Sequence, residues 1–199
     1  MTKLIHLSGE LERKNGGNRA VVPTMGALHQ GHLDLVDAAR ERVGSNGEVV
    51  VTIFVNPTQF GQTAEFEHYP RTLESDFEKC YTSGVDIVFA PSAAQMYPDA
   101  GAPSEYVSVH PGPLGEILEG ADRPGHFTGV LTIVAKLLNL TKPDCAFFGE
   151  KDYQQLILIS QMVRQLNFPV QIIGTPTRRE PDGLAMSSRN MFLDSDQRS

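Results

Sequence analysis

The chain has 199 residues, of which 40% are apolar and 21% are charged, as in an ordinary globular domain. Its formal net charge of −7 comes without the basic stripe that nucleic-acid-binding proteins present, so we expect no nucleic-acid partner. The N-terminus lacks a signal-peptide core, no apolar run could span a membrane, and two cysteines are too few for a disulfide framework. We therefore expect a cytoplasmic protein with no membrane partner.

Strand-like and helix-like patterns alternate along the chain. A short apolar strand over 20–22 ends at Pro23, and apolar residues then recur at helical spacing from 33 to 43. The β-branched run over 49–55 predicts a strand that is covered on both faces. Later patterns predict helices over 72–83, 127–140 and 153–166, and strands over 86–89, 106–109, 144–148 and 170–173. The composition of 62–67 and 95–104 is typical of mobile loops.

This alternation predicts an α/β fold, a Rossmann-like, doubly wound and mostly parallel sheet with helices on both faces. Such sheets bind ligands beyond the carboxyl ends of their strands, where the strand order reverses. Polar and glycine-containing segments follow three predicted strands, at 23–32, 56–60 and 149–152. We expect these segments to meet at one edge of the sheet.

Two histidines, His29 and His32, flank Gly31 immediately before the first long helix. Backbone N–H groups at a helix start favour anions, and neighbouring imidazoles can donate to phosphate oxygens as charge develops. Two surface histidines beside a helix cap would have the same spacing. The preceding Met25-Gly26 favours a ligand site, because glycine allows the backbone to approach a ligand closely.

Other candidate ligand-binding residues lie at later strand ends. Lys151 can neutralise a phosphate, and Asp152 can accept from ribose hydroxyls or simply cap a helix. The amides of Gln59 and Gln155 suit a substrate that has hydroxyls and a carboxylate, although single glutamines are usually solvated. Hydroxyls and a guanidinium in Ser187-Ser188-Arg189 can clamp phosphates, but such a turn is also common on surfaces. The role of Arg123, in a turn before a long helix, is left open.

Six motifs occur in one order along the chain: PTMGALHQGH, FVNPTQF, YPRT, RPGHFTGV, FFGEKDYQQL and DGLAMSSRN. With them the chain resembles the pantothenate synthetase (pantoate–β-alanine ligase) family, relatives of the HIGH-motif nucleotidyltransferases, from about Ala20 to Phe192. The resemblance implies that ATP adenylates pantoate with release of pyrophosphate, and that β-alanine then displaces AMP. It also implies that Mg²⁺ accompanies ATP, with no metal held by protein side chains.

The resemblance also implies residue roles. His32, His29, Lys151 and Arg189 would be catalytic, and the family assigns His32 as a proton donor. We expect His32 to stabilise charge instead, because Mg²⁺ and Lys151 can balance the charge of the leaving pyrophosphate. Gln59 and Gln155 would hold pantoate or β-alanine, and Met25 and Phe148 would pack on the gem-dimethyl group of pantoate. The ATP site would comprise Met25, Gly26, Ala27, Leu28, His29, Gln30, Gly31, His32, Gly149, Glu150, Lys151, Asp152, Arg178, Met186, Ser187, Ser188 and Arg189.

Members of the family continue into a small C-terminal domain that covers the ATP site. We therefore expect residues 1–175 to form the ATP- and pantoate-binding domain and 176–199 to begin the connection to that lid, with reduced activity in this chain alone. The resemblance further implies a homodimer. Two alternatives stay open: another nucleotidyltransferase of the same fold that acts on a phosphorylated substrate, and a non-catalytic binding or dimerisation module.

Overall fold

The computed structural model describes residues 1–13, 16–61, 65–98, 106–194 and 196–198. Six strands form one sheet in the order β1-β4-β3-β2-β5-β6, and every neighbouring pair is parallel. The strands are β1 (Lys3–Ile5), β2 (Arg19–Thr24), β3 (Glu48–Ile53), β4 (Ile87–Phe89), β5 (Cys145–Gly149) and β6 (Gln171–Thr175). The predicted α/β, Rossmann-like fold is confirmed.

Helices connect the strands as the predicted crossovers require. They are α1 (Gln30–Val43), α2 (Glu65–His68), α3 (Leu73–Thr82), α4 (Ala93–Met96), α5 (Glu119–Asp122), α6 (His126–Thr141) and α7 (Tyr153–Gln165). Single 3₁₀ turns add Pro57–Gln59, Glu150–Asp152 and Ser188–Phe192 near the strand ends. Of the two segments expected to be mobile, 62–64 and 99–104 lie outside the described residues, while α2 and α4 occupy much of the remainder.

The two faces of the sheet bury separate cores, so the sheet is covered on both sides. On β2, Val21 belongs to the core that includes Leu131 of α6 and Leu158 of α7. The flanking Val22 belongs to the other core, with Val36 of α1 and residues of α3. Alternate residues of one strand therefore support opposite helical layers, as the period of a strand requires.

Two features of the sheet differ from the sequence prediction. The short edge strand β1 was not predicted, because its residues Lys3 and Leu4 are exposed and make no apolar run. The predicted strand over 106–109 is wrong. There the Val109 N–H donates to the Thr132 side chain of α6 at 2.9 Å, so it is paired to a helix and not to a neighbouring strand.

Strand order reverses at β2, because the chain passes from β2 to β3 on one side and later places β5 on the other. The carboxyl ends of β2 and β5 thus flank the position where a doubly wound sheet opens into a crevice. Helix α6 packs closely against the backbone of Thr58 in this region, because a Cβ on Gly129 would lie only 2.4 Å from the Thr58 carbonyl oxygen. None of the described helices is long and apolar enough to cross a membrane.

Candidate active site

A cleft opens at the carboxyl ends of β2 and β5, and most of the predicted site residues line it. The predicted residues that line it are Met25, His29, Gly31, His32, Gln59, Phe148, Gly149, Lys151, Asp152, Gln155, Arg178, Met186, Ser187, Ser188 and Arg189. Five residues of the predicted ATP site do not line it: Gly26, Ala27, Leu28, Gln30 and Glu150. The expectation that three strand-end segments converge at one edge therefore holds in the structure.

The turn between β2 and α1 has an unusual backbone. Gly26 and Ala27 both have positive φ, at 85° and 50°, and α1 begins three residues later. The N–H groups of Ala27 and Leu28 donate to the buried carboxylate of Asp76, at 2.8 and 2.7 Å. These two amides are therefore engaged by α3 and do not face the cleft, which explains why their residues do not line it.

The two histidines stack at the entrance to α1, with ring centroids 4.0 Å apart. The backbone N–H of His29 donates to Nδ1 of His32 at 3.2 Å. Because Nδ1 accepts a hydrogen bond, a neutral His32 carries its proton on Nε2 and is a hydrogen-bond donor there. Among the described residues, Nδ1 of His29 is buried and has no hydrogen-bond partner. Turning that ring toward a ligand would break no hydrogen bond at Nδ1.

Both imidazoles are neutral at physiological pH. Burial lowers the pKa of His32 to about 3, with further lowering by the neighbouring His29, Lys151 and Lys79. Burial is also the largest cause that lowers the pKa of His29, followed by Lys151. The free cleft therefore offers neutral donors in a cationic environment, an arrangement that favours anionic ligands.

The low pKa of His32 makes stability depend on pH. Between the folded pKa of about 3 and the usual 6.5, the unfolded chain binds one more proton than the folded chain. This stability is thus fully present above pH 6.5 and is lost as pH falls toward 3. Between pH 7.5 and 5.5, we expect native protein to lose about 1 kcal/mol more than His32→Gln in urea unfolding. Equal losses in the two proteins would contradict the low pKa.

A buried amide pair sets the orientation of Gln59. Asn56 donates through Nδ2 to the Gly129 carbonyl at 3.2 Å and to Gln59 Oε1 at 3.1 Å, and its Oδ1 accepts from Tyr97 at 2.8 Å. With Oε1 of Gln59 so engaged, its Nε2 lies against the Met25 sulfur, 3.3 Å away. Gln59 therefore presents N–H donors to the cleft, which suits an oxygen-bearing substrate.

An apolar wall stands beside these amides. Met25 at the end of β2 and Phe148 at the end of β5 both line the cleft. Other apolar lining residues come from the end of β3 and from the inner face of α6: Phe54, Val130, Ile133, Val134 and Leu137. This part of the cleft can bury a small aliphatic group while Gln59 and Gln155 contact its polar substituents.

Cationic side chains from three segments also line the cleft. Lys151 lies 3.0 Å from Asp152, and Arg178 lies 3.5 Å from Asp34 of α1. Arg189 donates through Nε and Nη2 to one carboxylate oxygen of Glu65, at 2.9 and 2.5 Å. All three cations are paired with surface carboxylates, so an incoming polyanion would have to compete with them.

Arg123, left open above, belongs to an ion-pair network beside the cleft. It donates to Glu119 at 2.8 Å and lies 3.5 Å from Glu65, so Glu65 contacts both Arg123 and Arg189. Glu119 is also 3.6 Å from His126, which donates through Nδ1 to the Gln59 carbonyl at 2.9 Å. The segment 123–126 therefore supports the backbone of Gln59, and none of its four residues lines the cleft.

Sequence reasoning missed several residues that shape the site: Asn56, Glu65, Tyr69, Asp76 and His126. Tyr69 lines the cleft, and its hydroxyl lies 3.4 Å from Ser188 Oγ. Three of the six motifs contain Asn56, Tyr69 and His126, namely FVNPTQF, YPRT and RPGHFTGV. The resemblance therefore included these residues but assigned them no role. Glu65 and Asp76 carry no local signal. Within the described ranges, no group of three His, Cys, Asp or Glu residues could hold a metal ion.

Comparison with known proteins identifies the family. The model of the family described as pantoate-beta-alanine ligase matches residues 2–199. The chain belongs to the pantoate–β-alanine ligase family. Pantothenate synthetase from Streptomyces avermitilis is 56% identical over 99% of this chain and 59% of its own length. That from Mycolicibacterium smegmatis is 59% identical over 93% of this chain and 57% of its own length. The chain thus spans less than two thirds of these curated ligases.

Solved structures of the family share the fold. A pantoate–β-alanine ligase from Thermus thermophilus superposes with a TM-score of 0.90 and 49% identity, covering 100% of this chain and 70% of that one. The ligase from Francisella tularensis, complexed with β,γ-ATP and β-alanine, has a TM-score of 0.90 and 40% identity, over 98% of this chain and 74% of that one. The six-stranded parallel sheet of this chain is therefore the fold of the solved structures of the family.

Proposed function

We propose that the full-length protein ligates pantoate and β-alanine to pantothenate at the expense of ATP, through a pantoyl-adenylate intermediate. One observation supports this most strongly: a single cleft is lined both by apolar and amide side chains and by cationic and imidazole side chains. The first set suits a branched hydroxy acid, and the second suits a triphosphate. Family membership supports the same assignment of substrates.

In the first step, an oxygen of the pantoate carboxylate attacks the α-phosphorus of ATP. A new O–P bond forms, the bond to the bridging β-phosphate oxygen breaks, and pyrophosphate leaves with those electrons. Gln59 and Gln155 would orient the hydroxy acid through their amides, while Met25 and Phe148 would bury its methyl groups. The work of the site is then largely positioning, which fixes the carboxylate in line with the leaving group.

Charge that develops on the phosphates needs compensation. We propose that Lys151, Arg189 and the neutral Nε2–H of His32 donate to phosphate oxygens, with His29 and Ser187-Ser188 nearby. Preorganised donors in a partly dehydrated site stabilise such charge more strongly than water does. In the ligand-free cleft burial lowers the pKa of His32 to about 3, so His32 would act as a neutral Nε2–H donor that stabilises this charge electrostatically.

In the second step, the amine of β-alanine attacks the acyl carbon of the adenylate. The C–N bond forms, the C–O bond to AMP breaks, and the amine releases a proton. Adenylation makes this step accessible, because AMP is a far better leaving group than the oxide of a free carboxylate. The side chains that hold the acyl group in the first step would hold it unchanged in the second.

The remaining assignments are also proposals. Mg²⁺ would enter with ATP as part of the substrate. Residues 1–175 would form the ATP- and pantoate-binding domain, and 176–199 would lead to a C-terminal lid, in keeping with the greater length of the relatives. The protein would act as a homodimer in the cytoplasm, where ATP is supplied.

Isotope transfer tests the proposed reaction. With pantoate labelled with ¹⁸O in its carboxylate, β-alanine and MgATP, the full-length protein should form pantothenate and AMP, with one ¹⁸O atom in the AMP. Formation of ADP and phosphate in place of AMP would contradict an adenylate. Turnover of a phosphorylated acid in preference to pantoate would favour a different nucleotidyltransferase.

The pairing of Arg189 with Glu65 predicts a competition with ATP. In Glu65→Gln, the guanidinium loses an anionic partner that it must leave in order to bind phosphate. Surface pairs of this kind are worth about 0.2–1 kcal/mol, so the Kd for ATP should fall by about 1.4- to fivefold in calorimetric titrations. Glu67→Gln, an exposed position on the same short helix, is the control and should leave the Kd unchanged. Weaker ATP binding in Glu65→Gln would show that Glu65 assists the nucleotide.

A further inference from the structure

The turn that carries the histidines is held from outside the cleft by one helix. Asp76 lies in the first turn of α3 and is completely buried. Its Oδ1 accepts from the Leu28 N–H at 2.7 Å, and its Oδ2 accepts from the Ala27 N–H at 2.8 Å and from the Thr72 hydroxyl at 3.0 Å. Three donors thus satisfy this buried carboxylate, and two of them are backbone groups of the histidine-bearing turn.

A second residue of α3 grips the same turn. Lys79 lies one helical turn beyond Asp76 and donates through Nζ to the Leu28 carbonyl at 2.7 Å. The residue Leu28 is therefore fixed at both of its backbone polar groups, its N–H by Asp76 and its C=O by Lys79. The two contacts are about 50 positions away in sequence from Leu28 and lie on a helix that is not part of the cleft wall.

The backbone of this turn is conformationally strained, and the contacts with α3 stabilise it. Ala27 has φ of 50°, a left-handed conformation that costs an L-residue about 1–2 kcal/mol. Gly26 has φ of 85°, and a Cβ there would lie 3.0 Å from Asp76 Oδ2. The peptides after this turn set the direction in which His29 and His32 enter the cleft. Because the Asp76 carboxylate accepts from two successive N–H groups of the turn, it holds the turn in this orientation.

We propose that Asp76, with Lys79, is a positioning residue for adenylation: it fixes the turn that aims His29 and His32 at the nucleotide and itself touches no substrate. This inference rests on the proposed function for its catalytic consequence. Its structural part stands independently, because the contacts of Asp76 and Lys79 exist in the ligand-free protein. The two parts can therefore fail separately.

The decisive variant is Asp76→Asn in the full-length protein. Asparagine keeps the size of the side chain but replaces one acceptor oxygen with an NH₂ group, which would face a backbone N–H. Glu78→Gln, an exposed position on the same helix, is the matched control. In ligand-free protein, side-chain ¹⁵N NMR should find His32 with its proton on Nε2 in the wild type and in the control. Asp76→Asn should show a mixture of tautomers.

Kinetics supply the second readout. In pantoate-dependent exchange of pyrophosphate with ATP, Asp76→Asn should lower kcat by about 10- to 100-fold, while KM for pantoate changes less than threefold. Unchanged His32 signals together with unchanged kcat would overturn the proposal. Altered signals in a protein whose wild type lacks exchange would instead overturn the proposed function and leave the positioning role intact.

Lys79→Met keeps the proposal testable should Asp76→Asn fail to fold. The charge of Lys79 itself lowers the pKa of His32, as does that of Lys151. The deciding readout for Lys79→Met is therefore the tautomer of His32 and not its titration. A tautomer mixture is expected, and a pure Nε2–H tautomer in Lys79→Met would overturn the role of the α3 contacts in such a case.

Discussion

Replacing His32 with alanine is expected to lower kcat of the adenylation step by about 100- to 1000-fold, the usual effect of removing one preorganised donor to a developing oxyanion. The Nε2–H of His32 is fixed by the hydrogen bond that Nδ1 accepts from the His29 backbone. Its loss removes one of the donors that we propose act on the phosphates together with Lys151 and Arg189. Single-turnover rates with saturating pantoate and MgATP measure this effect directly.

Two further variants sharpen this result. His110→Ala removes an exposed histidine outside the cleft and should leave kcat unchanged. His32→Gln restores an N–H donor and should recover about tenfold of the lost rate. Because the pKa of His32 is about 3, the profile of kcat/KM for ATP should show no limb from His32 between pH 5 and 8. A limb in that range that disappears in His32→Gln would instead assign a proton-donor role.

Replacing Arg19 with methionine is expected to lower the free energy of unfolding by about 3–5 kcal/mol, the cost of leaving a buried charge without its partner. Arg19 is 1% exposed and donates to Glu48, itself 4% exposed, at 2.6 Å. Its guanidinium also donates to the carbonyls of Thr141 at 2.7 Å and Glu12 at 2.8 Å. One side chain thus joins two strands, the end of α6 and the N-terminal segment.

The chain supplies a matched control for this prediction. Arg13 pairs with Asp144 at the same end of the sheet, but both side chains are about two-fifths exposed. Arg13→Met should therefore cost no more than about 1 kcal/mol in urea unfolding. The double variant Arg19→Met with Glu48→Leu should regain much of the loss, because no unpaired charge remains. A loss below 1 kcal/mol in Arg19→Met alone would contradict the account.

The sequence predicted the sheet and the place of the cleft because both follow from local patterns. β-branched runs mark buried parallel strands, and parallel strands end at one edge, so the segments after them had to meet. Met25, Gln59, Phe148 and Gln155 line the cleft for that reason. Their detailed contacts to substrate stay predictions.

Other features could not be predicted, because they depend on contacts between distant parts of the chain. The Asp76 carboxylate binds Leu28 across 48 positions, and Glu65 binds Arg189 across 124. Nothing in the local sequence around Asp76 or Glu65 distinguishes them from other acidic residues on a helix surface. For the same reason, residues 106–109 were predicted to form a strand, although the Val109 N–H donates to the side chain of Thr132 on a helix.

Pantoate-dependent exchange of labelled pyrophosphate into ATP tests the central claim most directly. The reaction contains this 199-residue chain, MgATP and labelled pyrophosphate, with no β-alanine. We expect label in ATP only when pantoate is present, because the residues proposed for adenylation all line the cleft described above, with the rate lowered if a lid domain normally excludes water. A folded chain that neither exchanges label nor binds pantoate would contradict the assignment of this cleft to pantoate activation.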